Sequence, residues 1–523
     1  MSVTATLLWG ALFLPAARAQ TGSLLNQAQH LEEKGRWYEA CSLYDELLSK
    51  DRNDPKLRES YRRCLRHFRQ SRRLADDSLH TILAKMTPMQ AKDLYEEILR
   101  KVTTSYAERE RADLAILFQQ GLQELRFALD EKVFVQRYLA RAGLSGLETF
   151  KRRLARWEDE KVRDLNRAKG LLDEIMQSAW QIRIPPGVIA LECACGGCNS
   201  LDEYSLYLAP SRFTQAETAR KAKYVGIGIE LTVVNQKFEV ARVYHKSPAA
   251  QMGLVKGDRL LRIDGQTLDP QAPDLAIERL RGEAGSFVEI EYLPSGQMMA
   301  VTASIERKEV LALSVDSGRT GTPGYFGYLH IHNFQDSTLQ EVRSALLELQ
   351  SMSSMPLQGL IIDLRGNPGG LLKPALGVAE LFLPEGVIVH TYGQARKANQ
   401  VYRSHNENPL SLPLVVLVDG ETASAAEVVA GALKDNGRAI IIGQPTYGKG
   451  SVQGTIALEN APGGLRLTVA KFSFSSRVTF NGRGILPDRV VEDGEHDPAL
   501  KSAVEYLEEQ LERQRSPRPM TMS

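Results

Sequence analysis

Apolar residues recur every three to four positions across residues 23–178, with charged residues between them, and this spacing predicts helix throughout that stretch. Pro185-Pro186-Gly187 breaks the pattern and is read as a boundary, since neither a helix interior nor a central strand accepts it. Beyond it the period shortens. Residues 223–308 read as a small β-rich module, with a strand opening at Tyr224-Val225-Gly226-Ile227-Gly228-Ile229 and another over 238–243. From residue 324 strand and helix alternate. The pattern predicts a strand at 324–331, a helix at 338–350, a buried strand at 359–364, a helix at 371–383 and a buried strand at 412–418. Alternation of this kind implies a layered α/β core. Strands at 451–457 and 465–474 are read as completing that core. Asp497-Pro498 then opens a last helix, to about 514, in the favoured cap and first-turn arrangement, and a proline-bearing tail expected to be disordered follows.

The 65 Lys and Arg residues match the 64 Asp and Glu residues to within one charge. No basic surface of the kind that phosphate binding needs is implied, which argues against a nucleic-acid partner. The apolar run Leu7-Leu8-Trp9-Gly10-Ala11-Leu12-Phe13-Leu14 followed by Ala17-Arg18-Ala19 suits a secretory signal peptide, although its start carries no basic residue. The run is short for a bilayer, and no other segment is long enough to span one, so an exported chain, periplasmic or extracellular, is expected.

Lys34-Gly35-Arg36-Trp37-Tyr38-Glu39-Ala40-Cys41-Ser42-Leu43-Tyr44 resembles the turn and second helix of one tetratricopeptide repeat. It is read either as an arm that holds an adaptor or substrate or as a structural extension. Cys193, Cys195 and Cys198 cluster without an evident fourth metal ligand, so a redox role or close packing is expected, and no metal. An exported chain would permit a disulfide, with at least one of the five thiols left over.

The chemistry concentrates between Val418 and Gly454. After the apolar strand, Asp419-Gly420 signals a turn, Thr422 is read as a helix cap, and Ser424 falls in the first helical turn. Backbone N–H groups lack partners there and the helix dipole favours negative charge, so a hydroxyl at this point lies beside an oxyanion site. Lys449, between Gly448 and Gly450, is the candidate base. It must be neutral to take a serine proton, which requires burial to remove about three units from a free pKa of about 10.4. Gln453 can accept a hydrogen bond from the amine without adding a charge. Each of the three is ordinary alone, as a helix-start residue, a solvated loop lysine and an exposed strand residue; it is their combination that suggests a site.

The wording TASAAE and then GKGSVQG resembles the nucleophile and base segments of the carboxyl-terminal processing proteases, the tail-specific peptidases of serine family S41. Three further stretches carry the resemblance. They are LDEYSLYL at 201–208, with Glu203 in place of the family's proline, DLRGNPGG at 363–370, and NGRGILPD at 481–488. Ser475-Ser476-Arg477 departs from the PSG turn usual before the last. The stretch SPAAQMGLVKGDRLLRIDG at 247–265 is similar to the PDZ domains of processing proteases, with Met252 at the usual alanine position.

The resemblance implies a multidomain α+β chain: signal peptide 1–19, helical region 20–184, connector 185–222, PDZ domain 223–308, crotonase-like α/β protease core 309–495, and helix with tail 496–523. It implies acyl transfer by Ser424 with Lys449 as base and Gln453 as orienter, and backbone N–H groups of Gly366 and Ala425 as oxyanion hole. The loop Val225-Gly226-Ile227-Gly228 would offer N–H groups to the terminal carboxylate of a protein or peptide substrate, bound by strand addition. No metal or organic cofactor is expected. Two other readings stay open: a catalytically silent binding protein, and a broader degradative peptidase. No HExxH pair and no GxSxG elbow occurs among the nine histidines and the serines, so a zinc protease and an α/β-hydrolase triad lack support. His330 and His332 are read as a surface pair on one strand, and His405 as a loop residue.

Overall fold

A computed structural model describes residues 13–52, 54–140, 144–218, 223–270, 273–322, 324–352, 355–460, 463–475, 479–492 and 494–515. Most of the expected signal peptide, the expected tail, and Ser476 and Arg477 lie outside the described residues. The chain forms two compact units. The first comprises Met1–Gln215, Val389–Tyr402 and Gly448–Gly484, and the second Ala216–Ile388, Arg403–Tyr447 and Ile485–Ser523.

Helices dominate the first unit, as the spacing predicts, and their starts follow capping chemistry. Asp54 accepts the N–H groups of Lys56 and Leu57 ahead of helix Pro55–Leu74, and Thr87 and Gln90 form a reciprocal capping box at Pro88–Ser105. Residues 185–222, read as a connector, contain a helix. Pro186 occupies the first turn of a helix, Pro186–Leu201, because proline lacks only an N–H that this position would leave unbonded anyway. That helix is buried along nearly its whole length.

Small residues let it approach helix Leu114–Asp130 closely: a Cβ at Gly196 would come within 2.3 Å of the Gln120 carbonyl oxygen. Cys193, Cys195 and Cys198 are therefore packing residues, free and buried. Burial pushes the Cys198 thiol up to about 12 and raises the other two as well, which makes them poor nucleophiles. Buried charge in this core is paired. Arg73 meets Glu124 at 3.0 Å and Glu192 at 2.7 Å, and Arg66 also pairs with Glu124.

Strands 451–457 and 464–473 do not complete the α/β core as expected. Ser451–Ala457 and Gly464–Ser473 pair with each other, and the second also pairs with Leu206–Leu208 and, through His390, Thr391 and Tyr392, with Glu385–Tyr392. All these pairings are antiparallel. The apolar residues Leu465 and Leu467 face the helical core, so this sheet belongs with the helices.

In the second unit the β-rich module has its own core, including Ile227, Phe238, Ile263, Val288 and Ile290. The α/β core holds a six-stranded sheet. Val315–Thr320 runs antiparallel to Phe326–Ile331, and Gly359–Asp363, Leu414–Val418, Ile440–Gly443 and Arg489–Val490 follow in parallel. Every residue of Gly359–Asp363 and Leu414–Val418 is buried, which accounts for their continuous apolar runs without alternation. The last helix, Pro498–Arg515, packs Ala499, Ala503 and Leu507 on one face of this sheet. His405 ends strand Gln400–His405 instead of lying in a loop, its N–H bonded to Glu380. Among the described residues no helix is long and apolar enough to cross a membrane.

Candidate active site

Strands Gly359–Asp363 and Leu414–Val418 are parallel neighbours, with Asp363 opposite Leu417, so the loops after them leave the same sheet edge side by side. The first carries Gly366-Asn367-Pro368-Gly369-Gly370 and the second Asp419 to Ser424. They are stitched together. Ala423 N–H bonds to Asn367 O at 2.9 Å, and Thr422 Oγ1 donates to Leu364 O at 2.9 Å.

Thr422 is thus held by tertiary bonds and does not cap the helix. The cap is Ser424, with Ala425 beginning the helix Ala425–Asp435. Ser424 takes φ +57° and ψ −116°, a region that side chains rarely enter and that costs on the order of 1–3 kcal/mol. Packing holds it there. A Cβ on Gly369, itself at φ +100°, would meet Ala423 O at 2.7 Å, the Ser424 Cβ at 2.8 Å and Ala425 N at 2.9 Å. Gly369 is glycine because the serine's backbone lies against it.

Glu427, buried one turn into the helix, accepts Ser424 N–H on Oε2 at 2.8 Å. Its other oxygen accepts the Thr446 hydroxyl at 2.5 Å, and Thr446 Oγ1 in turn accepts the Ile485 N–H at 2.6 Å. Ala425, as the first helical residue, has an N–H that the helix itself cannot satisfy. The Gly366 N–H is engaged: it donates to Asp419 Oδ2 at 2.9 Å.

Lys449 and Gln453 belong to the first unit. The glycines beside Lys449 are pinned, since Gly482 N–H bonds to Gly448 O at 2.7 Å and Phe472 N–H to Gly450 O at 2.9 Å. Lys449 is half-buried, and its Nζ lies 4.7 Å from the ring centroid of Tyr204. Tyr204 comes from the LDEYSLYL segment, where Asp202 Oδ1 accepts its N–H at 2.8 Å and Tyr106 braces Asp202. Glu203, the departure from the family pattern, pairs with Arg62 at 2.9 Å and so ties this segment to helix Pro55–Leu74. Gln453 spends its amide nitrogen on Ser451 Oγ at 2.9 Å and Thr468 Oγ1 at 3.3 Å, which leaves its oxygen as the end able to accept.

The profile of peptidase family S41 matches residues 325–491, and that of a PDZ domain matches 239–293. A carboxy-terminal-processing protease of Bartonella bacilliformis is 36% identical over 317 residues, covering 60% of this chain and 71% of the relative. One from Synechocystis is 33% identical over 300 residues, covering 56% and 69%. The chloroplastic carboxyl-terminal-processing peptidase 2 of Arabidopsis thaliana is 30% identical over 301 residues, covering 55% and 57%. This chain belongs to the carboxyl-terminal-processing proteases of family S41.

As a processing protease it is a serine-type peptidase with a PDZ domain, and protein or peptide substrates follow from that. The sequence reading of this processing protease passed over Glu427, Thr446, Asp419 and Tyr204 as parts of the site. Glu427 alone carried a local signal, standing three residues after Ser424 at the spacing of a capping box. The others act through bonds between segments distant in the chain.

Proposed function

We propose that this processing protease is an exported endopeptidase that cuts proteins near accessible C-terminal tails, using Ser424 as nucleophile and Lys449 as base. Neutral Lys449 Nζ takes the Ser424 Oγ proton as Oγ bonds to the scissile carbonyl carbon. The resulting ammonium returns that proton to the amine as the C–N bond breaks, leaving an acyl-enzyme. Water then adds to the acyl carbon as the same lysine takes its proton, and the ammonium passes that proton to Ser424 Oγ as the Oγ–C bond breaks and the new C-terminus leaves. The Ala425 N–H receives the oxyanion, and Gly366 joins it by exchanging its bond to Asp419. Gln453 Oε1 orients Lys449. The PDZ loop from Val225 to Gly228 takes the substrate's terminal carboxylate.

The observation that carries this reading is the strained backbone of Ser424, held at φ +57° at a helix start against Gly369. Such strain persists where surrounding packing over-determines it, as at a nucleophile. Connectivity supports the base: Tyr447 N–H bonds to Thr422 O at 2.9 Å, and each of these residues lies two positions before its proposed catalytic neighbour.

The test is mass spectrometry of a protein with an unstructured tail after incubation with the chain and with Ser424→Ala and Lys449→Ala variants. Tail-proximal cleavage by the parent, absent in both folded variants, is expected. Cleavage that survives either substitution would remove the dyad. A parent that binds the tail and cuts nothing would make this a binding protein.

A further inference from the structure

Helix Pro55–Leu74 lays arginines against the segment that carries Tyr204. Arg62 pairs with the Glu203 carboxylate at 2.9 Å. Arg69, two turns further along the same face, grips the backbone instead. It donates to the Glu203 carbonyl, to the Ser205 carbonyl at 3.3 Å and to Asn199 Oδ1 at 3.5 Å. These acceptors are all neutral. Burial pushes the Arg69 guanidinium down to about 10, with the charge of Arg466 adding to the shift. A cation taken out of water for neutral acceptors is a costly source of stability, so its worth lies in what it holds.

Ser205 leads from that grip toward the lysine. Its side chain is fully buried, and its Oγ accepts the Thr468 N–H at 3.1 Å. Thr468 Oγ1, buried as well, accepts the Gln453 amide nitrogen at 3.3 Å. The pairing of Ser451–Ala457 with Gly464–Ser473 shifts register between Val452 and Gln453. Such an irregularity re-aims the side chain beside it, so strand pairing does not by itself fix where the Gln453 amide points. The bonds to Thr468 and Ser451 do. Arg466 holds the same segment from the strand side, donating Nε to the Tyr204 carbonyl at 3.2 Å.

We propose that Arg69 is a positioning residue for peptide cleavage: by clamping Ser205 it fixes Thr468, and through Thr468 the aim of the Gln453 amide oxygen at Lys449. This rests on the reading of Lys449 as base and Gln453 as its orienter. It makes the helical region part of the scaffold of the site, since the clamp is reached from a helix far from Lys449 in the sequence. Loosening the clamp leaves substrate contacts in place, so the loss falls on kcat and not on KM.

The experiment is steady-state cleavage of a fluorogenic peptide with an unstructured tail by the full chain. Arg69→Met, Arg69→Lys and Gln453→Met are made singly, and each Arg69 substitution is also combined with Gln453→Met. Arg69→Met should lower kcat about tenfold and leave KM within about twofold. Arg69→Lys, which can still donate to one carbonyl, should lose about threefold. With Gln453→Met the aim is already lost, so adding either substitution should change kcat by about 1.5-fold or less. Circular dichroism melting identifies the folded variants, and Arg69→Lys carries the comparison if Arg69→Met does not fold. If the loss is equally large in both backgrounds, the effect does not pass through Gln453 and the proposal falls. If kcat is parental and only the melting temperature drops, Arg69 is structural and the proposal falls. If Gln453→Met itself keeps parental kcat, the orienter reading fails and takes this inference with it; a parent that cuts nothing removes the base and this inference together.

Discussion

The Glu427 carboxylate accepts the backbone N–H of Ser424 at 2.8 Å while the Thr446 hydroxyl occupies its second oxygen. A fully buried carboxylate used in this way joins the strained serine to the segment that leads toward Lys449. Glu427→Gln keeps the volume but turns one acceptor into a donor, so one of the two bonds is lost. With a buried partner left unbonded at about 1–3 kcal/mol, kcat should fall roughly 10- to 100-fold while KM for a tailed substrate changes little. Steady-state kinetics with a circular dichroism control checks this. A variant with parental kcat would mean that Ser424 keeps its conformation without the bond.

Gly369 answers a steric question. Alanine there would place a methyl carbon within 3 Å of three atoms of the Ala423–Ala425 backbone and side chain, at a φ that alanine resists. The loop must shift, and Ser424 shifts with it. Gly369→Ala should therefore lower kcat at least 100-fold, because displacement by an ångström at the proposed nucleophile costs about that much. Labelling with a serine-directed fluorophosphonate should slow in parallel. Normal labelling together with lost peptide cleavage would put the defect elsewhere.

Much of this was legible beforehand, and what was not has physical reasons. The parallel strands announce themselves as unbroken apolar runs, because both faces are covered. Ser424, Lys449 and Gln453 stand in short, specific wording. Thr422 and Ser424 are equally good caps by local chemistry, and only the bonds from Thr422 to Leu364 and Asp419 decide between them. The strands Ser451–Ala457 and Gly464–Ser473 show their alternation but not their partners, since pairing with Leu206–Leu208 spans over 250 residues. Helix Pro186–Leu201 was hidden because Pro185-Pro186 fits a break and a helix start alike.

Tyr204 tests how the proposed base is tuned. An aromatic face stabilises an ammonium more than an amine, so the ring 4.7 Å from Lys449 Nζ works against the neutral form that the proposed base requires. Tyr204→Leu removes that stabilisation. The acid limb of the kcat profile should move to lower pH by about half a unit, and Tyr204→Phe, which keeps the ring, should leave it in place. A shift to higher pH in Tyr204→Leu would show that the ring acts mainly by excluding water.

Arg365 of the DLRGNPGG stretch bonds to Asp363 and, at 2.7 and 2.9 Å, to both oxygens of Asp497, which caps the last helix through Leu500 N–H. The Arg365 hydrogen bond holds Asp497 below the ordinary carboxylate range. A depressed folded-state pKa contributes stability that is fully present above the unfolded value of about 3.9 and is lost as pH falls through the folded value. Asp497→Asn keeps the cap and removes the charge, so it isolates the ion pair. With Asp497 38% exposed, screening limits the pair to about 1 kcal/mol or less. Melting temperatures should differ by about 1–2 °C at pH 7 and converge as pH falls through the depressed folded-state value of Asp497. A difference that persists unchanged at the acid end of the titration, below the folded-state value of Asp497, would assign the loss to packing at the helix start, because a protonated aspartate cannot form the ion pair.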